Sequence, residues 1–366
     1  MREVVIVVGD LYLQPAADAV SGPGGSLRPA KGEGARERGR EDVASAPAIE
    51  YLARFGAKTT LPEGWRAWTA RWLGLPQYAR ESPACVAAAA LADAAALVDF
   101  PVDRAVWLAR PLHLVAGLTT LHVDRRSALR LPGAELEQLA ASFGATFGGS
   151  GFDLQPLADG ELLLCGPAEL AAATTTEPAR LLLTPMAEAM PAGEGAAALR
   201  RLSAEIEMWL HDHPLNDARL RRREPPVATL WLWGGGFPVA ARQAAPQEIA
   251  AAAFGSDAYV RGLWRLAGGE TRPLPVDWSA VIGEPRITRA LGVVEVAELL
   301  HANASWSLAQ AIAEIDRRLL APALAALQRG GLDRLVLVAN DRSLAVRAAD
   351  RWRLWRRKRT ALEGLT

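Results

Sequence analysis

Glu205–Pro238, EIEMWLHDHPLNDARLRRREPPVATLWLWGGGFP, decides the reading of this chain, and it divides into three parts. Leu199, Leu202, Ile206, Trp209 and Leu210 recur at helical spacing, so an amphipathic helix is expected up to His213, where Pro214 cannot continue it. Pro214 to Pro226 then sets Arg219, Arg221, Arg222 and Arg223 between prolines, the composition of a connection that hugs the surface. ATLWLW enters as a strand, rich in aromatic and apolar residues and stopped by Gly234, Gly235 and Gly236. Those glycines read as a tight turn rather than a phosphate cradle, because neither GxGxxG nor GxxxxGK[ST] occurs in the chain. His211 and His213 fall about 200° apart around a helix, which argues against a metal pair. The arginines read as a solvated surface, with bidentate capture of a phosphorylated ligand as the functional alternative.

Outward from that stretch, 366 residues allow one large α/β domain with an insertion or two domains. Lys plus Arg equals Asp plus Glu at 41 each, so no net field draws the protein to nucleic acid or to an anionic membrane; the basic stretch Arg347 to Arg359 is the local exception. Cys85 and Cys165 sit in apolar contexts far apart, the pattern of buried thiols in a reducing compartment. No run approaches a membrane span, and the apolar start EVVIVVG breaks too soon for a signal peptide, so the cytoplasm is the expected location.

EVVIVVG reads as a strand buried on both faces of a sheet. Residues 14–45 lose all periodicity and fill with Gly, Ala, Pro, Arg and Glu, so a disordered insertion is expected there. Helices are expected at Ala48 to Phe55, on the face carrying Trp65, Trp68 and Trp72, and over the alanine-rich 83–98. From Arg104 the pattern turns to strands, AVWLAR, HLVAGLTTLHV, ELLLCG and ARLLLT, around one helix at 133–147. This predicts an inserted α+β domain at 104–185 within a main domain made of 1–103 and 186–366. Beyond the tryptophan strand come an expected helix near 246–265, a long helix through Leu308, Ile312, Ile315, Leu319 and Leu320, and a strand DRLVLVAN closing the sheet. The whole predicts an α/β fold with a mainly parallel central sheet covered by helices on both faces. Ligands are expected at strand ends, here Gly9–Asp10, Gly234 to Gly236, and Asn340–Asp341.

The run HPLNDARLRRREPPVATLWLWGGGFP resembles the HPxNxxR and xWxWGxGxxP signature of archaeal-type cofactor-independent phosphoglycerate mutases, of the alkaline phosphatase superfamily. APAIEYLARFGA, WLARPLHL with VDRRSALRL, YVRGLWRLAGG, AIAEIDRRL and DRLVLVAND resemble further family segments in the same order, across nearly all of the chain outside 14–45. The chain also resembles shorter bacterial members, some labelled phosphoglycerate mutase and some labelled regulatory proteins of the Rpf type. The resemblance implies an alkaline-phosphatase-like fold and a serine that carries the phosphoryl group between two divalent metals, Mn or Zn.

The chain departs from that chemistry at each ligand motif. Val8–Gly9 stands where the family has an Asp–Gly pair, leaving Asp10 displaced; Ser82 is the sole serine in the nucleophile segment; ANASWSLAQ follows His301 in place of DExGH; and Asn340–Asp341 replaces a terminal Asp–His pair. Asp10, His301 and Asp341 are thus the candidate metal ligands and Ser82 the candidate nucleophile of a rearranged active site. The candidate anion-binding residues are Arg110, Arg125, Arg126, His213, Asn216 and Arg219, with structural tethering as the equally weighted alternative. The expectation is a mutase-like binding or regulatory protein for a phosphorylated or carboxylated metabolite, with no metal cofactor. The rival is an active, metal-dependent mutase or phosphatase.

Overall fold

Glu3–Val8 forms strand β1, and its alternation feeds two cores at once: Val4, Ile6 and Val8 pack on one side, Val5 and Val7 on the other. The structure is a computed structural model that describes residues 2–13, 45–91, 104–116, 121–157, 160–238, 251–276, 278–353, 355–357 and 359–365. The expected insertion at 14–45 therefore lies, but for Ser45, outside the described residues.

In chain order the further strands are β2 (Ala57–Thr60), β3 (Arg104–Leu112), β4 (Val115–Ala116), β5 (Leu121–His122), β6 (Asp153–Pro156), β7 (Leu162–Pro167), β8 (Thr229–Gly236), β9 (Ala251–Phe254), β10 (Arg289–Val294), β11 (Arg334–Ala339) and β12 (Arg342–Arg347). The helices that matter below are α1 (Pro47–Phe55), α2 (Gly64–Leu73), α3 (Pro83–Ala87), α4 (Gly133–Phe147), α5 (Ala196–His211), α6 (Pro214–Arg221), α7 (Ala258–Leu266), α8 (Val296–Ala302) and α9 (Leu308–Ile315). The main sheet runs β2-β12-β11-β1-β10-β9, with β11, β1, β10 and β9 parallel and β12 antiparallel to both its neighbours, β11 and β2. A second, antiparallel sheet runs β6-β7-β3-β8. One of its faces shares a core with α4 and α5, while Val106, Leu108, Trp231 and Trp233 on the other face pack against Ala84 and Cys85 of α3. Cys85 and Cys165 are both free and buried.

Several expected elements fall elsewhere. The tryptophan strand β8 pairs with β3 in the second sheet, so this sheet draws a strand from beyond residue 185, and Gly234 to Gly236 belong to β8 itself. Pro214 does stop α5, which ends at His211, but it also opens α6: the missing N–H costs nothing at a first turn, and His213 caps the new helix by accepting Leu215 N at 3.1 Å. ARLLLT forms a 3-10 turn at Pro178–Leu182, since proline both starts it and denies a ladder hydrogen bond. The alanine-rich helix stops after α3 and a turn at Ala88–Ala90, and 92–98 lie outside the described residues. Of the helix expected near 246–265, residues 246–250 lie outside the described residues, Ala251–Phe254 form β9 and Ala258–Leu266 form α7; β11 is an interior strand because β12 and β2 pair beyond it.

Candidate functional site

The carboxyl end of β1 brings Gly9 and Asp10 into a small cleft of about 50 Å3, room for a few waters at most, between the two sheets. Glu295, directly after β10, enters from the neighbouring strand, and Arg110 arrives from β3. Arg110 is buried and donates to Glu161 Oε1 at 3.1 Å and to Glu295 Oε2 at 2.9 Å, so one guanidinium bridges two carboxylates. Arg66 of α2 makes a second bridge, to Glu177 at 2.5 Å and Asp257 at 3.5 Å. Its guanidinium lies 4.3 Å from the Trp65 ring centre and 4.8 Å from that of Trp233, which fixes it by cation–π contact. Glu177 is delivered by its own segment: Trp231 Nε1 donates to Thr176 O and Gly234 N to Thr175 Oγ1. Beside them Arg180 pairs with Asp341 at 2.6 Å, lies over the Tyr12 ring, and Tyr12 OH reaches both Glu177 and Asp341.

Burial and arginine compete over these carboxyls. Burial pushes Asp10 up to about 6, reinforced by Glu295 and partly offset by the amides of Ala297 and Val296. Burial likewise lifts Glu161 to about 7 against the pull of Arg110. At Glu295 burial is outweighed by Arg110 and Arg130, which hold its carboxyl down at about 2. Glu295 is thus the cleft carboxyl that its arginines hold most firmly as the anion.

Of the residues singled out from sequence, Arg110, Arg125 and Asp10 are brought together here. Arg125 donates to Tyr12 O at 2.7 Å. Arg126 turns away to the C-terminal end of α8, where it donates to the carbonyls of Leu300 and Trp306. His213, Asn216 and Arg219 lie apart, buried beside the core that the second sheet shares with α4 and α5. His213 Nε2 meets Ser142 Oγ at 2.8 Å, Asn216 exchanges hydrogen bonds with Val227 N and O and donates to Leu210 O, and Arg219 pairs with Glu135 at 2.5 Å. These contacts tie α6 to α4, α5 and the entry of β8. Ser82 sits at the N-terminal edge of α3 against Gly236 and does not line the cleft.

The candidate metal ligands are each otherwise engaged. Asp10 accepts Val296 N at 2.6 Å and Ala297 N at 2.8 Å, and so caps the start of α8; Asp341 holds Arg180; His301 Nε2 contacts Ala128 O at 2.7 Å. Among the described residues no three His, Cys, Asp or Glu side chains converge as a metal-ligand group. The donor set does not fit a two-metal clamp, because positive charge among these carboxylates is supplied by arginine. Arg66, Glu161, Glu177 and Glu295 were not singled out from sequence. Glu295 carried a usable signal, since ALGVVEV is an apolar run ending on an acid where a parallel strand places ligands; Glu161 and Glu177 carried none.

Main sheet, second sheet and cleft define a mixed α/β protein. The chain is 24% identical over 319 residues, 80% of its length and 78% of the other's, to a probable 2,3-bisphosphoglycerate-independent phosphoglycerate mutase of Geobacter sulfurreducens, which bears out the resemblance. No family model matches. Among solved structures, a cofactor-independent phosphoglycerate mutase from Thermoplasma acidophilum aligns with 95% of this chain and 90% of its own at TM-score 0.36 and 16% identity. A Pyrococcus horikoshii protein aligns with 92% and 81% at TM-score 0.42 and 12% identity. Both superpose loosely. Among the described residues no helix is long and apolar enough to cross a membrane.

Proposed function

We propose that this protein is a phosphoglycerate-mutase-like binding or regulatory protein, not a metal-dependent mutase, and that its cleft takes a small phosphorylated or carboxylated anion on arginines. In this reading the fold is alkaline-phosphatase-like and the second sheet with α4, α5 and α6 is the inserted unit. One observation carries the proposal: the cleft's carboxylates are matched by Arg66, Arg110, Arg130 and Arg180 or by backbone amides, so they have neither the freedom nor the convergence to hold two divalent ions. Guanidinium groups bind phosphate or carboxylate without a metal. Since the cleft has little room, an entering anion takes the place of one of its own carboxylates, and Glu177, shared between Arg66 and Arg180, is the one best placed to yield.

The test is calorimetric titration of 3-phosphoglycerate into protein kept in a chelator. Binding is expected there, and Arg125→Ala should weaken it by about 1.5–3 kcal/mol, the worth of a charge-assisted contact. Binding that appears only after manganese is added contradicts the reading and favours the metal-dependent enzyme.

A further inference from the structure

Around the carboxyl end of α1 an open groove of about 760 Å3 gathers Arg54, Lys58, Arg356, Arg357 and Arg359 against a single acid, Glu363. Lys58 comes from β2, the edge strand of the main sheet, whose four residues are all exposed. The facing wall is fastened in place: Arg353 and Arg356 donate to the carbonyls that close α1, Phe55 O at 3.4 Å and Gly56 O at 2.5 Å, Arg54 Nε donates back to Arg356 O at 3.1 Å, and Ala361 and Leu365 are buried in the core. Arg66 and Arg110 of the cleft answer carboxylates; here, among the described residues, Arg54 and Arg356 hydrogen-bond to carbonyls alone, and Lys58, Arg357 and Arg359 have no ion-pair partner. Glu363 is turned to Thr360 N at 2.8 Å. Partial burial, then Arg342 and Arg359, push the Lys58 ammonium below its ordinary value, as expected where cations crowd without an acid. The same segment carries Trp352 and Trp355, 67% and 79% exposed, whereas the other ten of the chain's twelve tryptophans are buried or half-buried. The Arg351 guanidinium lies 5.0 Å from the Trp352 ring centre.

We infer that this groove binds single-stranded nucleic acid, its cations meeting the phosphates and the two exposed indoles stacking on bases. Guanidinium and ammonium groups with no carboxylate of their own give up no ion pair when a phosphate arrives, and aromatic rings set among such cations hold an unpaired strand whatever its sequence. A groove admits a strand but not the plane of a bilayer, and an acidic peptide brings carboxylates but no bases for the indoles. Zero net charge excludes a field around the whole molecule, not one confined to this face. The inference is independent of the cleft reading, since no residue of this groove lines the cleft.

The experiment is fluorescence anisotropy of a fluorescein-labelled, mixed-sequence strand of about 20 nucleotides, as RNA and as DNA, titrated with the full chain at several salt concentrations. Both strands should bind the parent, more weakly as salt rises, and the tighter of the two identifies the sugar preferred. Arg357→Ala combined with Arg359→Ala, both exposed positions, should weaken binding by about tenfold and flatten the log–log salt slope by about 1.4, two phosphate contacts at about 0.7 each. Trp355→Ala should weaken binding by about tenfold and leave the salt slope unchanged. Both variants should melt like the parent; Lys58→Ala on β2 repeats the arginine arm from the other wall, so the test stands if either misfolds. The duplex of the same sequence, polyglutamate and phosphatidylserine vesicles should each compete at least about tenfold less well than the unlabelled strand. A parent that binds neither strand, an affinity indifferent to the folded arginine or tryptophan variants, or competition by duplex, polyglutamate or vesicles equal to that of the strand overturns the assignment.

Discussion

Arg219 and Arg125 look alike in sequence and do different work in the fold. Arg219 is buried against Glu135, with Pro225 O accepting from its Nε at 2.8 Å, so Arg219→Ala leaves a buried carboxylate with only Arg222 to answer it. A loss of about 2–4 kcal/mol in denaturant unfolding is expected, with phosphoglycerate affinity unchanged in the folded fraction. Glu177→Gln should act in the opposite sense on binding: it removes the carboxylate that competes for Arg66 and Arg180, and anion affinity measured by calorimetry should rise. Glu161 links the site to pH. Its carboxyl is raised from an ordinary 4.5 to about 7, so the folded state holds a proton that the unfolded state has released. Its contribution to stability therefore falls as pH rises from about 4.5 to about 7 and is flat above. The melting temperature of the parent should drop across that window relative to Glu161→Gln; parallel profiles of the two would contradict the assignment.

At the scale of elements, what was legible in the sequence was the kind of element more than its place. β1 was readable because a β-branched run buried on both faces has few alternatives, and α5 because its apolar face repeats cleanly. β8 was readable as a strand, but nothing within ATLWLW says that its ladder partner is β3. β10 escaped because Gly292 interrupts its apolar run; the glycine is there because the Trp278 indole lies over it, and a Cβ would come within 2.4 Å of the ring. α6 escaped because proline was read as a stop when it also serves as a start. Gly235 follows the same rule as Gly292: a Cβ there would fall 2.0 Å from Trp107 Nε1, inside the second sheet. Gly235→Val should lower the melting temperature sharply or prevent folding. A variant that melts like the parent would mean that β3 and β8 are not packed as described.

At the scale of the molecule, the cleft exists because the parallel sheet ends where the second sheet begins, so the ends of β1 and β10 face Arg110 from β3 and Glu161 from just before β7. Sequence located half of that meeting place. Asp10, Arg110 and Arg125 were found by resemblance, while Arg66, Glu161, Glu177 and Glu295 come together only through tertiary pairing across 51 to 191 residues of chain. In the resulting network the cleft's carboxylates meet arginines or backbone amides, and that is the ground for proposing arginine-based recognition. The most direct measurement is elemental analysis of the dialysed protein joined to a coupled assay of 3- to 2-phosphoglycerate conversion, with and without manganese. The account predicts fewer than two stoichiometric divalent ions and no chelator-sensitive turnover; two tightly held manganese or zinc ions, with turnover lost in Asp10→Asn, would contradict it.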